Sequence, residues 1–243
     1  MTPVKPNAII MTKRRQYARR TRKPESQMNY QTALFDLDGT LLDSMPMWKA
    51  AASRYIIAAG GRPKAGLDRT VTPMDMPHTA LYLRQHYFPE KDVDLLAQEL
   101  NNFIWKQYLQ APLKAGAFSF VQALHRQGVH CAVASATDSD RILSLLSLHR
   151  MTPYFDAIVS CTEAGAGKNQ SPAVYQKAMQ AVGGTIESTL IFEDSDYAVR
   201  TALAAGFRVA AIYDDYMAAA RPELEQSCAY YFETWQQASD CLL

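Results

Sequence analysis

The chain has 243 residues, of which 48% are hydrophobic and 20% charged, with a net charge of +1; this is enough for one large domain or for a core with a smaller insertion. No apolar run approaches the roughly 20 residues that a membrane-spanning helix needs, so we expect a protein that is cytoplasmic and has no membrane partner. The four cysteines are widely spaced and form no CxxC pair, which argues against a zinc site or a redox pair.

The first 28 residues differ from the rest of the chain in charge. They hold eight lysines or arginines and one acid, a charge of +7, which leaves 25 − 8 = 17 bases and 24 − 1 = 23 acids, or −6, for the remainder. Because residues 1–28 lack sustained apolar periodicity, they are predicted to form a disordered tail. Such a tail could bind nucleic acid, but no aromatic or recognition motif accompanies the charge. A solvated tail, or upstream sequence included by a misplaced start, is therefore preferred.

Residues 32–44, TALFDLDGTLLDS, place two aspartates directly after a short apolar segment. The apolar residues 33–35 predict a buried strand, and the Gly-Thr pair that follows the aspartates ends it. Side chains alternate between the two faces of a strand, so Asp36 and Asp38 are predicted to point to one side and Leu37 to the other.

Two carboxylates that face one small volume repel each other unless a cation neutralises them. A divalent metal ion is the expected remedy. Asp36 could then attack phosphorus as a nucleophile, while Asp38 protonates the leaving oxygen and later takes a proton from water. Asp and Gly are also common in turns, so the DxD pattern by itself leaves an acidic turn as the alternative.

Residues 46–113 are predicted to form an all-helical insertion that acts as a lid over a small pocket. A helical pattern begins at Pro46 and stops at a Gly-Gly pair, and amphipathic segments follow at 77–87 and 92–109. No strand pattern interrupts the region. The expected hinges of the lid are residues 44–47 and 111–116. The apolar positions of the two amphipathic segments are Leu81, Leu83, Tyr87, Leu95, Leu96, Leu100, Phe103, Ile104 and Tyr108.

Strands and helices alternate from residue 117 onward, which predicts an α/β core with a parallel sheet and helical crossovers. We assign this core to residues 29–45 and 114–243. Ligands of such sheets bind beyond the carboxyl ends of the strands. The later predicted strands are Val129–Ser135, Ala157–Ser160, Leu190–Glu193, Arg208–Tyr213 and Tyr230–Phe232.

Two polar residues downstream suit a phosphate site. Ser135 ends a predicted strand, where its hydroxyl and the neighbouring backbone N–H groups could hold phosphate oxygens, although serine also caps helices that bind nothing. Lys168 lies in a glycine-flanked loop before a helix. A fixed ammonium would offset the charge of a phosphoryl group, whereas most isolated lysines are solvated surface residues.

Glu193 and Asp194 end an apolar strand directly before an amphipathic helix. The helix dipole by itself stabilises acidic side chains at a helix N-terminus, and this is the competing explanation for the two acids. Asp194 could instead complete an oxygen shell with the Asp36 carboxylate and the Asp38 carbonyl, a small set of protein ligands of the kind that Mg²⁺ prefers. Glu193 would then serve as an outer acceptor or as a water-mediated ligand.

The order of these groups along the chain resembles that of the four motifs of the haloacid dehalogenase-like superfamily: an aspartate pair, a serine, a lysine and an acidic pair. The resemblance runs from Thr32 to the C-terminus and is nearest to the branch with β-phosphoglucomutase and small sugar-phosphate phosphatases. It implies a Rossmann-like parallel-sheet core with an inserted helical cap. It also implies a Mg²⁺-dependent phosphatase that hydrolyses a small phosphomonoester through an aspartyl-phosphate intermediate.

The resemblance also implies a role for each motif residue. Asp36 corresponds to the nucleophile and Asp38 to the acid/base, and both would bind Mg²⁺ together with Asp194. The implied phosphate-binding groups are the side chains of Ser135 and Lys168 and the backbone amides of Leu37 and Ala136.

Departures from the family pattern bear on the choice between hydrolysis and mutation. The family's Lys-Pro-x-Pro is replaced by residues 168–172, KNQSP, which predicts a loop one residue longer. Mutases of the group carry a hinge histidine and a cap arginine, and near those places stand Trp48 and residues 70–76, which contain neither type. Hydrolysis is therefore expected in preference to a phosphomutase reaction.

Two other activities match part of this pattern. A dehalogenase would leave Asp38 and Asp194 without a role, because displacing halide needs neither an acid nor a metal. A phospho-accepting receiver-like signalling domain also combines clustered acids, a hydroxyl and a lysine on a parallel sheet, but it needs no helical lid. No substrate follows from the sequence. The polar or aromatic candidates in the cap are Trp48, Arg54, Tyr55, His78 and Arg84.

Overall fold

The computed structural model describes residues 30–71, 74 and 76–243, and the predicted basic tail lies outside the described residues. Six parallel strands form one sheet in the order β3-β2-β1-β4-β5-β6. This confirms the predicted α/β class. Each observed strand end lies within one residue of the prediction. The strands are β1 Thr32–Phe35, β2 His130–Ser135, β3 Ala157–Ser160, β4 Thr189–Glu193, β5 Arg208–Ile212 and β6 Tyr230–Phe232.

Helices cover both faces of the sheet and make up the insertion that follows β1. The described helices of the insertion are α1 Met45–Trp48, α2 Ala51–Ala58, α3 Leu67–Val71, α4 Met76–His86 and α5 Val93–Tyr108. Those around the sheet are α6 Ala117–Arg126, α7 Ser139–Leu148, α8 Cys161–Ala164, α9 Ala173–Ala181, α10 Asp196–Ala204, α11 Arg221–Ser227 and α12 Trp235–Leu242. None of the helices in the described ranges is both long enough and apolar enough to cross a membrane.

The single helix predicted from Pro46 to the Gly-Gly pair is wrong, since the structure has two helices there, α1 and α2. The chain leaves helical geometry at Ala50, where φ is −123° and ψ is 12°. Met47 packs against an apolar cluster of the sheet domain, whereas Tyr55 and Ile56 lie in a separate apolar cluster of the insertion. The helix breaks because these two segments bury their apolar side chains in different places.

The predicted apolar faces of α4 and α5 also need correction. Leu81 is 39% exposed and Leu95 is 50% exposed. In α4 the buried leucine is Leu83, and residues two apart on a helix lie about 200° apart around its axis, so Leu81 faces the other way. In α5 the buried positions recur every fourth residue from Leu96 to Tyr108, and Leu95 lies one position off that stripe.

The core of the sheet domain consists of two apolar layers, one on each face of the sheet. Ala33 and Phe35 of β1 lie in one layer, and Leu34 between them lies in the other, as the alternation of strand side chains requires. The insertion has an apolar cluster of its own. The exact limits of the predicted lid stay a prediction.

The order of the strands determines where the polar residues meet. The chain runs from β1 outward through β2 and β3 on one side, and through β4 to β6 on the other. Phe35 pairs with Val133 of β2 and with Phe192 of β4. The residues that follow β1, β2 and β4 therefore share one edge of the sheet, at the switch point where parallel sheets usually bind ligands.

Candidate active site

Asp36 and Lys168, 132 residues apart in sequence, form an ion pair at the carboxyl edge of the sheet. Lys168 Nζ lies 2.5 Å from Asp36 Oδ1 and 2.5 Å from Glu193 Oε1. The Lys168 side chain is only 5% exposed, so it is not a surface lysine. Burial alone would lower its pKa, but the Asp36 and Glu193 carboxylates outweigh that effect and hold the pKa of Lys168 well above its usual value. The ammonium is therefore a fixed positive charge beside Asp36.

Asp36 lies directly after β1, where its backbone N–H donates to the Phe192 carbonyl of β4 at 3.0 Å. Burial raises the pKa of Asp36 to about 7, with Lys168 opposing the shift and the Glu193 and Asp38 carboxylates adding to it. The side chain of Leu37 points away into the core, as the alternation predicts. The site is thus short of positive charge, which is the electrostatic setting for a cation.

Glu193 has four hydrogen-bond donors around its carboxylate. Oε1 accepts from Lys168 and, at 2.8 Å, from the Tyr175 hydroxyl. Oε2 accepts from the backbone N–H groups of Asp194 at 3.0 Å and Ser195 at 3.2 Å. Because both oxygens are already bonded, Glu193 is better suited to hold Lys168 in place than to bind a metal ion directly.

Asp194 carries an unsatisfied carboxylate oxygen. Its Oδ1 accepts from the Thr40 hydroxyl at 3.1 Å, whereas Oδ2 is buried without a hydrogen-bond partner among the residues described. A Cβ at Gly39, whose φ is +80°, would lie 2.4 Å from that oxygen, so only glycine fits there. Burial raises the pKa of Asp194 well above its usual value, and the Glu193 and Asp36 carboxylates raise it further.

One carboxylate oxygen from each of Asp36, Glu193 and Asp194 lies within 4.8 Å of the other two. Oxygen donors of this kind suit Mg²⁺, and a buried oxygen without a donor is the atom a cation would satisfy. The residues present therefore fit a divalent cation, with Asp36 and Asp194 as direct ligands and Glu193 behind them.

Asp38 accepts three hydroxyl hydrogen bonds that the sequence did not reveal. Ser44 Oγ donates to Oδ1 at 2.6 Å and Thr137 Oγ1 donates to Oδ2 at 2.9 Å, and the Tyr108 hydroxyl also donates to Oδ1. Burial, with the Asp38 carboxylate adding to it, holds the pKa of Tyr108 well above its usual value, so this hydroxyl stays protonated. Tyr108 was predicted only as an apolar position of α5, and its spacing carries no signal of a polar contact.

Ser135 and Ala136 follow β2 at the same edge of the sheet. Ser135 is buried and its Oγ accepts from the Thr137 backbone N–H at 3.2 Å. Ser135 and Ala136 both line a cavity of about 350 Å³, a size at the small end for ligand pockets. The predicted residues on the cavity wall are Asp36, Asp38, Ser135, Ala136, Lys168 and Glu193. Those not predicted for the site include Met45, Tyr108, Thr137, Arg141 and Tyr197.

Trp48 is one of the cap candidates from the sequence, and it lines the cavity. Its ring contacts the Tyr108 ring edge-on, with centroids 5.8 Å apart. Tyr55, another candidate, donates instead to Glu99 at 2.5 Å within the insertion. The insertion thus supplies an aromatic wall to the cavity through α1 and α5.

Three comparisons relate this chain to known proteins. A sequence model described as haloacid dehalogenase-like hydrolase matches residues 33–212. The chain is 25% identical over 186 residues to Pyrophosphatase PpaX of Halalkalibacterium halodurans, covering 76% of this chain and 84% of that protein. It is 27% identical over 178 residues to a Phosphoglycolate phosphatase of Agrobacterium fabrum, covering 67% of this chain and 72% of that protein. A crystal structure of a candidate β-phosphoglucomutase from Thermotoga maritima matches with a TM-score of 0.76 at 18% identity, covering 86% of this chain and 97% of that one.

Proposed function

This chain belongs to the haloacid dehalogenase-like hydrolase family, and we propose that it is a Mg²⁺-dependent phosphatase that hydrolyses a small phosphomonoester through an aspartyl-phosphate intermediate. The observation that carries the proposal is the buried cluster of Asp36, Lys168 and Glu193, which lines a small cavity. The unsatisfied Asp194 oxygen belongs to a residue beside this cluster. The names of the two relatives, a pyrophosphatase and a phosphoglycolate phosphatase, support a small phosphorylated substrate.

In the first step an Asp36 oxygen attacks phosphorus, and the bond from phosphorus to the leaving oxygen breaks. Asp38 donates its proton to that oxygen, which leaves as an alcohol. The Lys168 ammonium, held by Glu193 and Asp36, offsets the negative charge on the phosphoryl oxygens. The Ser135 hydroxyl and the backbone amides of Leu37 and Ala136 are the proposed further contacts to those oxygens.

In the second step Asp38, now a carboxylate, takes a proton from water. The water oxygen attacks phosphorus, the bond to Asp36 breaks, and inorganic phosphate leaves. The Ser44, Tyr108 and Thr137 hydroxyls hold the Asp38 side chain in one orientation at this site.

The proposed metal ligands are the carboxylates of Asp36 and Asp194 and the backbone carbonyl of Asp38. Bound there, Mg²⁺ would supply positive charge that lets an ionised Asp36 and an anionic phosphoryl group approach each other. Glu193 positions Lys168 at this site rather than binding the ion, because four donors already occupy its oxygens.

The test is a screen of phosphorylated sugars, nucleotides and small acids with Mg²⁺, with released phosphate as the readout. Asp36→Asn should lower turnover of any substrate found by roughly 10³-fold or more, the scale of losing a nucleophile, and a chelator should abolish it. Asp196→Asn, which changes a partly exposed acid paired with Arg200, is the matched control. Full activity of the Asp36 variant would refute the assignment of the nucleophile.

A phosphomutase is the alternative that the same screen can separate. A hexose 1-phosphate is supplied with a bisphosphate primer, and hydrolysis predicts net release of phosphate. Formation of hexose 6-phosphate without that release would replace the phosphatase proposal with the mutase.

A further inference from the structure

Arg141 lines the cavity without a carboxylate partner in the described part of the chain. It lies in the first turn of α7, six residues after Ser135. Lys168, the other cation on the cavity wall, is by contrast paired with two carboxylates. The positive charge of Arg141 is therefore available to a ligand.

The guanidinium of Arg141 is held in place by the insertion. Its Nη2 donates to Asn101 Oδ1 at 3.1 Å, and its Cζ lies 5.0 Å from the centroid of the Trp105 ring. Asn101 and Trp105 both belong to α5, whereas Arg141 belongs to the core. The group therefore lies where core and insertion meet, which is also where the leaving portion of a substrate would lie once its phosphate contacts Asp36.

Arg141 could simply tie the insertion to the core. A guanidinium has five N–H donors, and the contact with Asn101 uses one of them, so a tie alone leaves most of them unused. Two acids lie just before Arg141 in sequence. Asp140 is exposed and does not line the cavity. Asp138 lines the cavity, but it is exposed as well, and its Oδ1 accepts from the Thr162 hydroxyl at 2.8 Å. The planar guanidinium beside the cavity can donate two parallel hydrogen bonds to the oxygens of a carboxylate or a phosphate.

We propose that Arg141 binds a second anionic group on the substrate, so that the substrate is a phosphorylated small acid or a bisphosphate rather than a neutral sugar or polyol phosphate. This inference rests on the proposed phosphatase function. The cavity of about 350 Å³ limits the substrate to a small molecule.

Binding of three phosphonates that cannot be hydrolysed tests the inference without turnover. Propylphosphonate, 3-phosphonopropionate and ethane-1,2-diphosphonate share one phosphonate and differ in a methyl, carboxylate or phosphonate at the far end. With excess Mg²⁺, calorimetry should show that the wild type binds at least one of the two anionic compounds about tenfold more tightly than propylphosphonate. The compound that gains more identifies the second group as a carboxylate or a phosphate.

Arg141→Gln should remove that preference while leaving the affinity for propylphosphonate within twofold, and Arg141→Lys should keep part of it. Arg126→Gln, on an exposed arginine bonded to Gln122, is the matched control and should keep the whole preference. Equal affinity of the wild type for all three compounds would overturn the inference, as would an Arg141→Gln variant that retains the preference.

Turnover of 2-phosphoglycolate and ethyl phosphate separates this inference from the function it rests on. Arg141→Gln should lower kcat/KM about tenfold for the acid, mainly through KM, and leave the neutral ester unchanged. If wild type and variant hydrolyse both esters with equal kcat/KM, the proposed second-anion site is wrong, while the proposed phosphatase function stands. Tight binding of the phosphonates without hydrolysis of any phosphomonoester in the wider screen would overturn the proposed phosphatase instead.

Discussion

Asp38 shows how much of the site depends on single hydroxyl groups. Its donors come from three parts of the chain: Ser44 before α1, Tyr108 at the end of α5 and Thr137 after β2. An acid/base group must keep one orientation toward both the leaving oxygen and the attacking water. Tyr108 is therefore a positioning residue for the proposed reaction, supplied by the insertion.

Tyr108→Phe should lower kcat about tenfold with little change in KM. The substitution removes one hydrogen bond to a charged group, worth about 1.5 kcal/mol or more, and keeps the ring that packs against Trp48 and Trp105. Steady-state kinetics on the best substrate from the screen measures the effect.

Tyr154→Phe is the matched control for this prediction, because that hydroxyl accepts from Gln122 on the outside of the core and should leave kcat unchanged. A Tyr108→Phe enzyme with the kcat of the wild type would show that the other two hydroxyls suffice to orient Asp38.

The two connections between core and insertion run side by side. Leu42 and Leu113 form an antiparallel bridge, the Asp43 N–H donates to the Pro112 carbonyl at 2.9 Å, and the Lys114 N–H donates to the Leu41 carbonyl at 2.8 Å. The predicted hinges, residues 44–47 and 111–116, flank or overlap this pairing. A lid that closes about it stays a proposal, and Tyr108 and Arg141 are the residues through which closure would reach the site.

Helix α4 offers a matched pair of leucines for testing how the insertion is packed. Leu83 is fully buried and Leu81 is 39% exposed. Leu83→Ala should lower the free energy of unfolding by about 2–5 kcal/mol, because it removes buried methyl groups and leaves a cavity. Leu81→Ala should change it by less than about 1 kcal/mol. Urea denaturation followed by circular dichroism compares the two.

Similar losses for both variants would contradict the orientation of α4 and restore the apolar face expected from the sequence, on which both leucines were placed. A loss confined to Leu83 would support a separate apolar cluster in the insertion.

Across the whole molecule, the sheet concentrates negative charge at one edge. Asp36, Asp38, Glu193 and Asp194 lie there, and the Lys168 ammonium pairs with two of them. The folded protein therefore has an excess of negative charge at this edge, which either protonation of a carboxylate or binding of a metal ion can neutralise.

Without metal, stability should fall as the pH rises from about 4, the usual pKa of an aspartate, to about 7. The pKa of Asp36 is raised to about 7 and that of Asp194 is raised as well. An acid whose folded pKa lies above its unfolded pKa stabilises the protein at low pH, and this stability is lost as the pH rises through the folded value. Lys168 stays protonated in both states over this range and adds no slope. Thermal melting in EDTA measures the effect.

Millimolar Mg²⁺ should raise the melting temperature, and by more at high pH than at low pH, because protons and the metal compete for the same oxygens. In Asp194→Asn both the slope in EDTA and the Mg²⁺ effect should shrink, which separates these carboxylates from the five histidines. A Mg²⁺ effect that does not change with pH would contradict a metal site built from Asp36 and Asp194.

The sequence by itself determined the order of the strands and helices and the residues at the strand ends. Apolar runs and polar breaks are local, so the run at 33–35 predicted β1 and the loop residues after it. The motif order supplied Asp36, Asp38, Ser135, Lys168 and Asp194 as candidates for one site.

Only the tertiary structure decided which side chains meet across long separations. Tyr108 and Asp38 are 70 residues apart, and Arg141 meets Asn101 across 40. Helical spacing marks Tyr108 as apolar and gives no sign of a role for Arg141, because the pattern of one helix does not record what another element packs against it. Glu193 likewise meets Lys168 across 25 residues and Tyr175 across 18, contacts that the local pattern of β4 does not record.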